Sequence, residues 1–412
     1  MAVPSLIIGN NDWATKPGNI LGYYVDDKDN YNGIEGDFSR ASTKTTVNRS
    51  GLIEEVATGV ASIDFQDNVK GSLLLEPQST NLITYSEDLR GADWATIRAS
   101  IIPNQSTSPS GDSNADKFNE DTSLNTHLIW NADKSVSIGD IITYSCYAKK
   151  GERDWVLLRD SQAGYFSCYF DLDNGVIGTP SGVVTPTMLS VGNGWYRCSI
   201  TYTSTTNISR GRMYISPSDL GELYQGDGVS GLYIWGTQQE VLPYATSYIP
   251  TNGSAVTRVK DVANNFGDVN TFNSAEGTLF VECSGFTDSA ARLISLSDGT
   301  NTNRMYIGYS STFITAVVVV GGGLSYVYNF VSSGVSDTVK IALTYKENDF
   351  TLYVNGVKKN FQLSGSIYPV NILNRLSFDS GAGASNFYGE TKQLQVYKEA
   401  LTDAELITLT TI

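Results

Sequence analysis

Aromatic residues are the side chains whose type and spacing best suit ligand binding in this sequence. Six tryptophans and 24 tyrosines occur in 412 residues, and flat rings of this kind pack well against sugar rings. Trp155 follows a charged run and Trp195 follows a glycine turn. We therefore expect Trp155 and Trp195, together with Tyr165, to face a ligand. Most other large aromatic residues are expected to fill the core.

No catalytic motif is present. The single histidine, His127, has no cysteine or serine partner that the sequence can identify. We find no GxSxG, no phosphate-binding glycine loop and no HExxH. Acidic residues are abundant, but nothing singles out a pair of carboxylates for glycoside hydrolysis. The sequence therefore predicts no catalytic residues and no enzyme.

Charge and cysteine content exclude several classes of partner and cofactor. The formal net charge is −15 and no basic run occurs, so nucleic acid is not an expected partner. The four cysteines form no CxxC pair, which argues against a zinc site and favours free, reduced thiols in a reducing compartment. The N-terminus lacks a signal peptide's basic region. No segment is apolar enough for membrane insertion.

The elements that must position these residues are short strands with tight turns. Charged residues make up only 17% of the chain and glycines number 39, a composition that favours strands over helices. Asn174-Gly175 and Asn355-Gly356 stand between apolar runs and predict type I′ hairpins. One helix is predicted over residues 401–409, with Thr402 as N-cap and Glu405 completing a capping box.

The stretch from Ser72 to Ser86 is predicted to connect an N-terminal segment to a pair of β-sandwiches. Pro77 excludes a helix there. Leu73–Leu75 should be buried, and Glu76 and Asn81 should bind backbone groups. Three segments are predicted: 1–80 for attachment or oligomerisation, 81–262 as a first sandwich and 263–412 as a second.

Several short motifs resemble a family of tailed-bacteriophage virion proteins, which includes tail fibres, tail spikes, receptor-binding proteins and head-fibre or decoration proteins. The motifs are FSRAS (38–42), GLIEEV (51–56), LLLEPQ (73–78), TNL (80–82), YSE (85–87), GWYR (194–197) and YATSYIP (244–250). They span about residues 37–262. LYVNG (352–356) and VYKEALTD (396–403) resemble a concanavalin A-like or laminin-G-like domain over the last 140 or so residues.

This resemblance implies an all-β protein with an N-terminal segment of irregular structure and short strands. Two antiparallel β-sandwiches come after it, a carbohydrate-binding-like jelly roll and then a concanavalin A-like domain. In many such jelly rolls the first and last strands share an oxygen-ligated ion. Asp116 and Glu240 are therefore candidate ligands for a structural calcium, with ordinary strand-end carboxylates as the alternative. No other cofactor is predicted.

The implied function is multivalent adhesion to host-surface polysaccharide. The protein would be assembled into the virion in the host cytoplasm and released by lysis. Its partners would be other virion proteins, through the N-terminal segment, and two further copies in a homotrimer. Two alternatives stay open: a capsid decoration or head-fibre protein with a mainly structural role, and a polysaccharide depolymerase.

Overall fold

The computed structural model describes residues 2–26, 28, 30–66, 68–162, 166–286, 290–310, 312–330 and 337–412. Within these ranges the chain forms 37 strands and one helix. The strands up to residue 106 are β1 Leu6–Gly9, β2 Ala14–Lys16, β3 Asn19–Val25, β4 Tyr31–Ser39, β5 Lys44–Val47, β6 Ile53–Val56, β7 Ile63–Asp64, β8 Ser72–Leu75, β9 Ser79–Asn81, β10 Trp94–Ile97 and β11 Ala99–Ser106.

The middle of the chain continues with strands alone. They are β12 Ala115–Glu120, β13 Leu124–Asn125, β14 His127–Asn131, β15 Lys134–Ser135, β16 Ile141–Lys150, β17 Trp155–Asp160, β18 Ser167–Asp171, β19 Val176–Ser181, β20 Val184–Ser190, β21 Trp195–Thr203, β22 Ile208–Ser209, β23 Gly211–Ser216, β24 Tyr224–Gln225, β25 Gly231–Glu240 and β26 Val256–Arg258.

The remaining strands precede the helix. They are β27 Val262–Asn264, β28 Glu276–Gly285, β29 Arg292–Ser297, β30 Arg304–Tyr309, β31 Ile314–Val320, β32 Gly323–Phe330, β33 Val339–Lys346, β34 Asp349–Val354, β35 Val357–Gln362, β36 Arg375–Ser377 and β37 Gly389–Tyr397, followed by α1 Asp403–Thr410. The predicted all-β fold is confirmed.

The chain divides into two compact units. Unit 1 comprises Met1–Thr43, Val56–Pro77 and Val259–Ile412, and unit 2 comprises Lys44–Glu55 and Gln78–Arg258. Main-chain pairing thus joins the N-terminal strands to the C-terminal part of the chain, whereas the sequence predicted three consecutive segments. The attachment role predicted for residues 1–80 stays a prediction.

Unit 2 is a sandwich of two six-stranded antiparallel sheets. Their strand orders are β10-β14-β23-β17-β18-β19 and β11-β12-β25-β16-β21-β20. Because side chains alternate across a strand, each sheet sends every second residue into the space between the sheets. Ile129, Leu158 and Met213 from the first sheet meet Tyr144 and Ile234 from the second in one buried cluster.

Unit 1 is built from a 12-stranded and a five-stranded sheet. The larger sheet has the order β27-β4-β3-β1-β37-β28-β33-β34-β35, with β2, β7 and β8 paired alongside, and the smaller has the order β32-β31-β30-β29-β36. Strand β1 lies between β3 and β37. Short N-terminal strands therefore extend the C-terminal sheet, and their apolar residues share its core.

The stretch from Ser72 to Ser86 behaves largely as its composition predicts. Leu73, Leu74 and Leu75 are buried, and β8 pairs with β37. Asn81 binds the backbone twice through its amide nitrogen, at the carbonyls of Thr237 (3.1 Å) and Ile249 (2.9 Å). This asparagine therefore satisfies backbone groups of unit 2, as predicted.

One of the two predicted hairpin turns differs from expectation. Asn355 and Gly356 have φ values of 49° and 76°, as a type I′ turn requires. In the other turn only Gly175 has a positive φ, of 66°. There the Asp171 carboxylate accepts hydrogen bonds from the backbone of Asp173 (2.9 Å) and Asn174 (3.1 Å). These bonds favour a four-residue loop. The prediction of a two-residue type I′ turn at Asn174-Gly175 was therefore wrong.

The helix and the thiols agree with prediction. Helix α1 begins after the N-cap Thr402, and Glu405 completes the capping box. All four cysteines are free and buried. Burial raises the pKa of Cys146 to about 12, so its thiol is a core group and not a nucleophile. Among the described residues, no helix has both the length and the apolar character needed to cross a membrane.

Candidate functional site

The outer face of the first sheet of unit 2 carries an unusual row of side chains. Trp130 on β14 lies opposite Arg212 on β23, and Arg212 lies opposite Arg159 on β17. Directly paired residues share one face of a sheet. The residues one position away, including Ile129, Met213 and Leu158, point into the core. The alternation of these three strands therefore places two arginines and a tryptophan outside.

Arg159 on this face and Arg210, two residues before Arg212, are held in ion pairs. The Arg210 guanidinium lies 4.3 Å from the centroid of the Trp130 ring, and its Nε donates to Asp133 Oδ1 at 2.6 Å. Arg159 stacks on the Tyr214 ring at 4.8 Å and pairs with Glu222 at 2.9 Å. Stacking and pairing fix the planes of both guanidinium groups.

A recess of about 440 Å³ opens beside this row, and we call it the Arg212 recess. Its lining comprises Asp133, Ser161, Gln162, Thr206, Asn207, Ile208, Arg210 and Arg212. Apart from Ile208 the lining is polar, and it contains no aromatic ring. It suits a ligand rich in hydrogen-bonding groups better than an apolar one.

Asp160, which is fully buried, organises the recess from behind. Its carboxylate accepts hydrogen bonds from the backbone N–H groups of Gln162 (3.0 Å) and Arg210 (2.9 Å). It also accepts from the hydroxyls of Tyr202 (2.8 Å) and Ser209 (2.6 Å). Burial raises the pKa of Asp160, and these hydrogen bonds oppose that rise. Two lining residues from separate loops are therefore tied to one rigid group.

The three aromatic candidates from the sequence do not form a stacking surface. Trp195 is only 1% exposed, and its Nε1 donates to the Thr107 carbonyl at 2.9 Å, so it is a core residue. Trp155 is half-buried, and a Cβ added at Gly178 would meet its ring at 2.6 Å. The Gly178 backbone therefore covers part of the Trp155 ring. Tyr165 lies outside the described residues.

The two carboxylates predicted to share a calcium ion are far apart. Asp116 pairs with Ile234 on β25, and Glu240 lies six residues further along the same strand, about 20 Å away at ~3.3 Å per residue. Glu240 accepts from Ser79 Oγ at 2.6 Å and from the Thr246 N–H at 3.1 Å. Asp116 accepts from the Asn104 N–H at 3.1 Å. Each carboxylate is thus engaged separately, so one ion cannot bridge them.

No other cation cluster replaces that pair. Within the described ranges, no group of three or more His, Cys, Asp and Glu side chains could hold a metal ion. His127 is fully buried, and its Nδ1 lies 2.7 Å from the Arg98 carbonyl. That contact gives the single histidine a structural role.

A second, acidic recess of about 290 Å³ lies elsewhere in unit 2. It is lined by Thr45, Ile53, Glu54, Glu55, Glu87, Ser110, Asp112, Asn114, Trp235, Tyr248 and Pro250. Ser86 Oγ and the Tyr248 hydroxyl are 2.6 Å apart, and Tyr248 donates to Glu87 Oε1 at 3.0 Å. Burial raises the pKa of Glu87. The YSE and YATSYIP motifs thus meet at this recess.

Sequence reasoning missed the residues of the Arg212 recess. The signal was present, because Arg210 and Arg212 are spaced by two and so lie on one side of an extended chain. Gln162 gave no signal, since its position depends on hydrogen bonds to Asp160 and Thr205.

Comparison with known proteins shows weak structural similarity only. No family model matches this chain, and no curated protein matches it. Similar solved structures include the CBM40 module of the Ruminococcus gnavus IT-sialidase bound to α2,3-sialyllactose, with 17% identity and a TM-score of 0.30 over 36% of this chain and 93% of that one.

Two further structures are similar to larger shares of the chain. Domain 4 of the arabinanase AbnA from Geobacillus stearothermophilus, in complex with arabinotriose, has 13% identity and a TM-score of 0.29 over 41% of this chain and 82% of that one. Domains LG4-5 of the mouse laminin α1 chain have 11% identity and a TM-score of 0.24 over 68% of this chain and 90% of that one. At these TM-scores the similarities carry no argument about function.

Proposed function

We propose that this protein is a non-enzymatic virion protein of a tailed bacteriophage that adheres to host-surface glycans. The Arg212 recess is the observation that carries the proposal. Its lining offers hydrogen-bond donors that are held in place by Asp160. A sugar can satisfy such donors with its oxygens, whereas an apolar ligand would leave them buried and unpaired.

The sequence resemblance supports the virion part of the proposal. Several residues of these motifs form hydrogen bonds that connect distant chain segments within one unit. In unit 1, Arg40 from FSRAS donates to Asp261 at 3.0 Å, and Asp261 accepts from the Glu76 N–H of LLLEPQ at 2.9 Å. The recess residues lie outside the motifs. The shared motifs thus build the scaffold, and the recess is formed by other residues. This arrangement is what we expect of adhesins that share one fold but recognise different host surfaces.

Adhesion by this protein would depend on copy number. A single recess of this size makes few hydrogen bonds and binds one sugar weakly. Presenting several recesses on one particle raises the effective affinity by orders of magnitude. The predicted homotrimer would supply three recesses, and several trimers on a particle would supply more.

Binding to purified host polysaccharide tests the proposal. Asn207 is exposed and lines the recess, so Asn207→Trp should obstruct the recess and abolish most binding without altering the core. Val183, which is 88% exposed in the β19–β20 turn, provides the matched control. Val183→Trp adds the same ring elsewhere on unit 2 and should bind like the native protein.

Two other results would contradict the proposal and favour one of the alternative functions. Release of new reducing ends from the polysaccharide would support the depolymerase alternative and contradict the non-enzymatic role. Labelling of the protein on capsid faces, combined with absence of glycan binding, would support the decoration alternative.

A further inference from the structure

The charges that line the Arg212 recess do not balance. Asp133 and Arg210 neutralise one another through the hydrogen bond at 2.6 Å. Arg212 is the other charged residue of the lining. Among the described residues it makes no ion pair, and its one hydrogen bond runs from Nη1 to the Tyr214 hydroxyl at 3.4 Å. The lining side chains therefore carry one positive charge in excess, and the Asp160 carboxyl group, whose pKa burial raises, lies behind them. The formal net charge of the whole protein is −15.

Unpaired donors accompany that charge. Arg212 Nε is buried and has no hydrogen-bond partner in the described part of the chain, and the same holds for Gln162 Nε2. A buried donor without an acceptor destabilises the folded protein, and more so when the donor is charged. A ligand acceptor would remove this cost once the Arg212 and Gln162 side chains turn these donors towards the recess.

The orientation of the Gln162 amide is fixed by its neighbours. Gln162 is 4% exposed, and its Oε1 accepts from the Thr205 N–H at 2.8 Å and from Ser204 Oγ at 3.2 Å. A backbone N–H can only donate, so the amide oxygen must face Thr205 and the NH₂ group must point the other way. The NH₂ group is therefore committed to donating to something other than this loop.

We propose that the Arg212 recess binds the carboxylate of an acidic sugar, with Arg212 opposite the carboxylate and Gln162 donating to a neighbouring oxygen. The inference rests on the proposed glycan-binding function and names its ligand class. A guanidinium matches a carboxylate with two parallel hydrogen bonds. A neutral sugar could accept from Gln162 but would leave the charge of Arg212 uncompensated.

The overall acidity of the protein makes the recess selective. Long-range repulsion from a net charge of −15 weakens the non-specific binding of anions, and salt screens this repulsion. An acidic sugar is thus held only where a local cation faces it.

Calorimetric titration of the 412-residue chain tests the inference. The probes are D-glucuronic acid, its neutral methyl ester, D-glucose and N-acetylneuraminic acid. We expect one or both acids to bind at least about tenfold more tightly than the ester and glucose, since a hydrogen bond between charged groups is stronger than one between neutral groups. The two acids distinguish a uronic acid source from a sialic acid source.

Variants of Arg212 assign the effect to this recess. Arg212→Gln should reduce the affinity for the preferred acid about tenfold or more, to that of the ester. Arg212→Lys should retain part of the affinity, because a lysine keeps the charge but not the planar fork. Arg90, in an exposed ion pair with Asp88 at 3.4 Å, is the control, and Arg90→Gln should change nothing. The acid-to-ester comparison needs no variant, so it stands even if Arg212→Gln fails to fold.

The outcomes separate this inference from the proposed function. Equal affinity for the acids and the ester, with intact binding to host polysaccharide, would overturn the inference and leave the adhesive function standing. Unchanged binding of the acid by a folded Arg212→Gln protein would likewise overturn it. Absence of binding to every sugar and to host polysaccharide would overturn both.

Discussion

At the residue scale, Arg40 is a buried polar group of unit 1 with several fixed partners. Its side chain and that of Asp261 are fully buried, with Nη1 and Oδ1 3.0 Å apart. Nε also donates to the Ser42 carbonyl and Nη2 to the Ala57 carbonyl, both at 2.9 Å. One guanidinium thereby satisfies three chain segments that have no regular pairing there. The arginine of the FSRAS motif therefore has a structural role, because it connects these three chain segments.

Removing Arg40 should destabilise the protein severely. Arg40→Ala removes the guanidinium from its buried ion pair with Asp261, and loss of one partner of a buried pair costs about 3–5 kcal/mol. Urea unfolding should show a loss of this size. Arg90→Ala removes an exposed pair, in which the two side chains are 55% and 50% exposed, and should cost under about 1 kcal/mol. Similar losses in both variants would contradict this account of Arg40.

Glu87 should make stability depend on pH in a defined direction. Burial raises its pKa above the ordinary value of 4.5, so the unfolded chain loses this proton at a lower pH than the folded chain does. As pH rises from that ordinary value through the raised one, the free energy of unfolding therefore falls. Glu87→Gln removes the titration. The free energy of unfolding of the variant, relative to that of the native protein, should therefore increase as pH rises across this window.

Glu405 supplies a control of opposite sign. Hydrogen bonds from Thr402 lower its pKa, so Glu405→Gln should lose stability at neutral pH, and the difference should shrink on acidification. Urea unfolding at several pH values measures both variants. Parallel curves for Glu87→Gln and the native protein would show that Glu87 does not titrate abnormally.

At the element scale, helix α1 is stabilised by its first turn and by its apolar side. The Thr402 side chain accepts from the Glu405 N–H, and the Glu405 carboxylate accepts from the Thr402 N–H at 3.1 Å. Leu406 packs with Leu401, Phe280 and Tyr397 in a small buried cluster. Local capping and tertiary packing thus act on the same eight residues.

Loss of the N-cap should destabilise the protein measurably. Thr402→Ala removes the acceptor for the Glu405 N–H and should cost about 1 kcal/mol in urea unfolding. Thr408 is exposed on the same helix, and Thr408→Ala should cost little or nothing because alanine is the better helix former. An equal loss at both positions would mean that side-chain packing, not capping, stabilises this end of the chain.

At the scale of the whole molecule, the N-terminal strands are an integral part of unit 1. Strand β1 pairs with β37 over four residues, from Leu6 opposite Val396 to Gly9 opposite Gln393. Leu6 and Ile8 are fully buried. Because β1 lies between β3 and β37, the N-terminal strands reach the rest of the large sheet through it.

Deleting residues 2–9 should therefore unfold much of unit 1. The deletion exposes the edge of β37 and separates β3 from the sheet, and an exposed edge strand promotes aggregation. We expect the shortened protein to be insoluble or oligomeric. In any soluble fraction, limited proteolysis should cut the C-terminal part of the chain. The variant Val3→Ser changes an exposed residue outside β1 and serves as the control. Native proteolysis of the shortened protein would show that β1 is dispensable.

The sequence by itself determined the fold class, the helix with its cap, the burial of Leu73–Leu75 and the backbone role of Asn81. These features arise from local patterns: short-range propensity, apolar runs, turn residues and capping spacing.

Only the tertiary structure decided which distant residues meet. It placed Trp195 in the core, held Asp116 and Glu240 about 20 Å apart on the geometry of β25 (~3.3 Å per residue), and joined Arg40 to Asp261. It also brought Gln162 and Arg212 to one recess. Strand pairing between distant segments leaves almost no local trace in sequence. The residues of the proposed site could therefore not be found before the sheets were assembled.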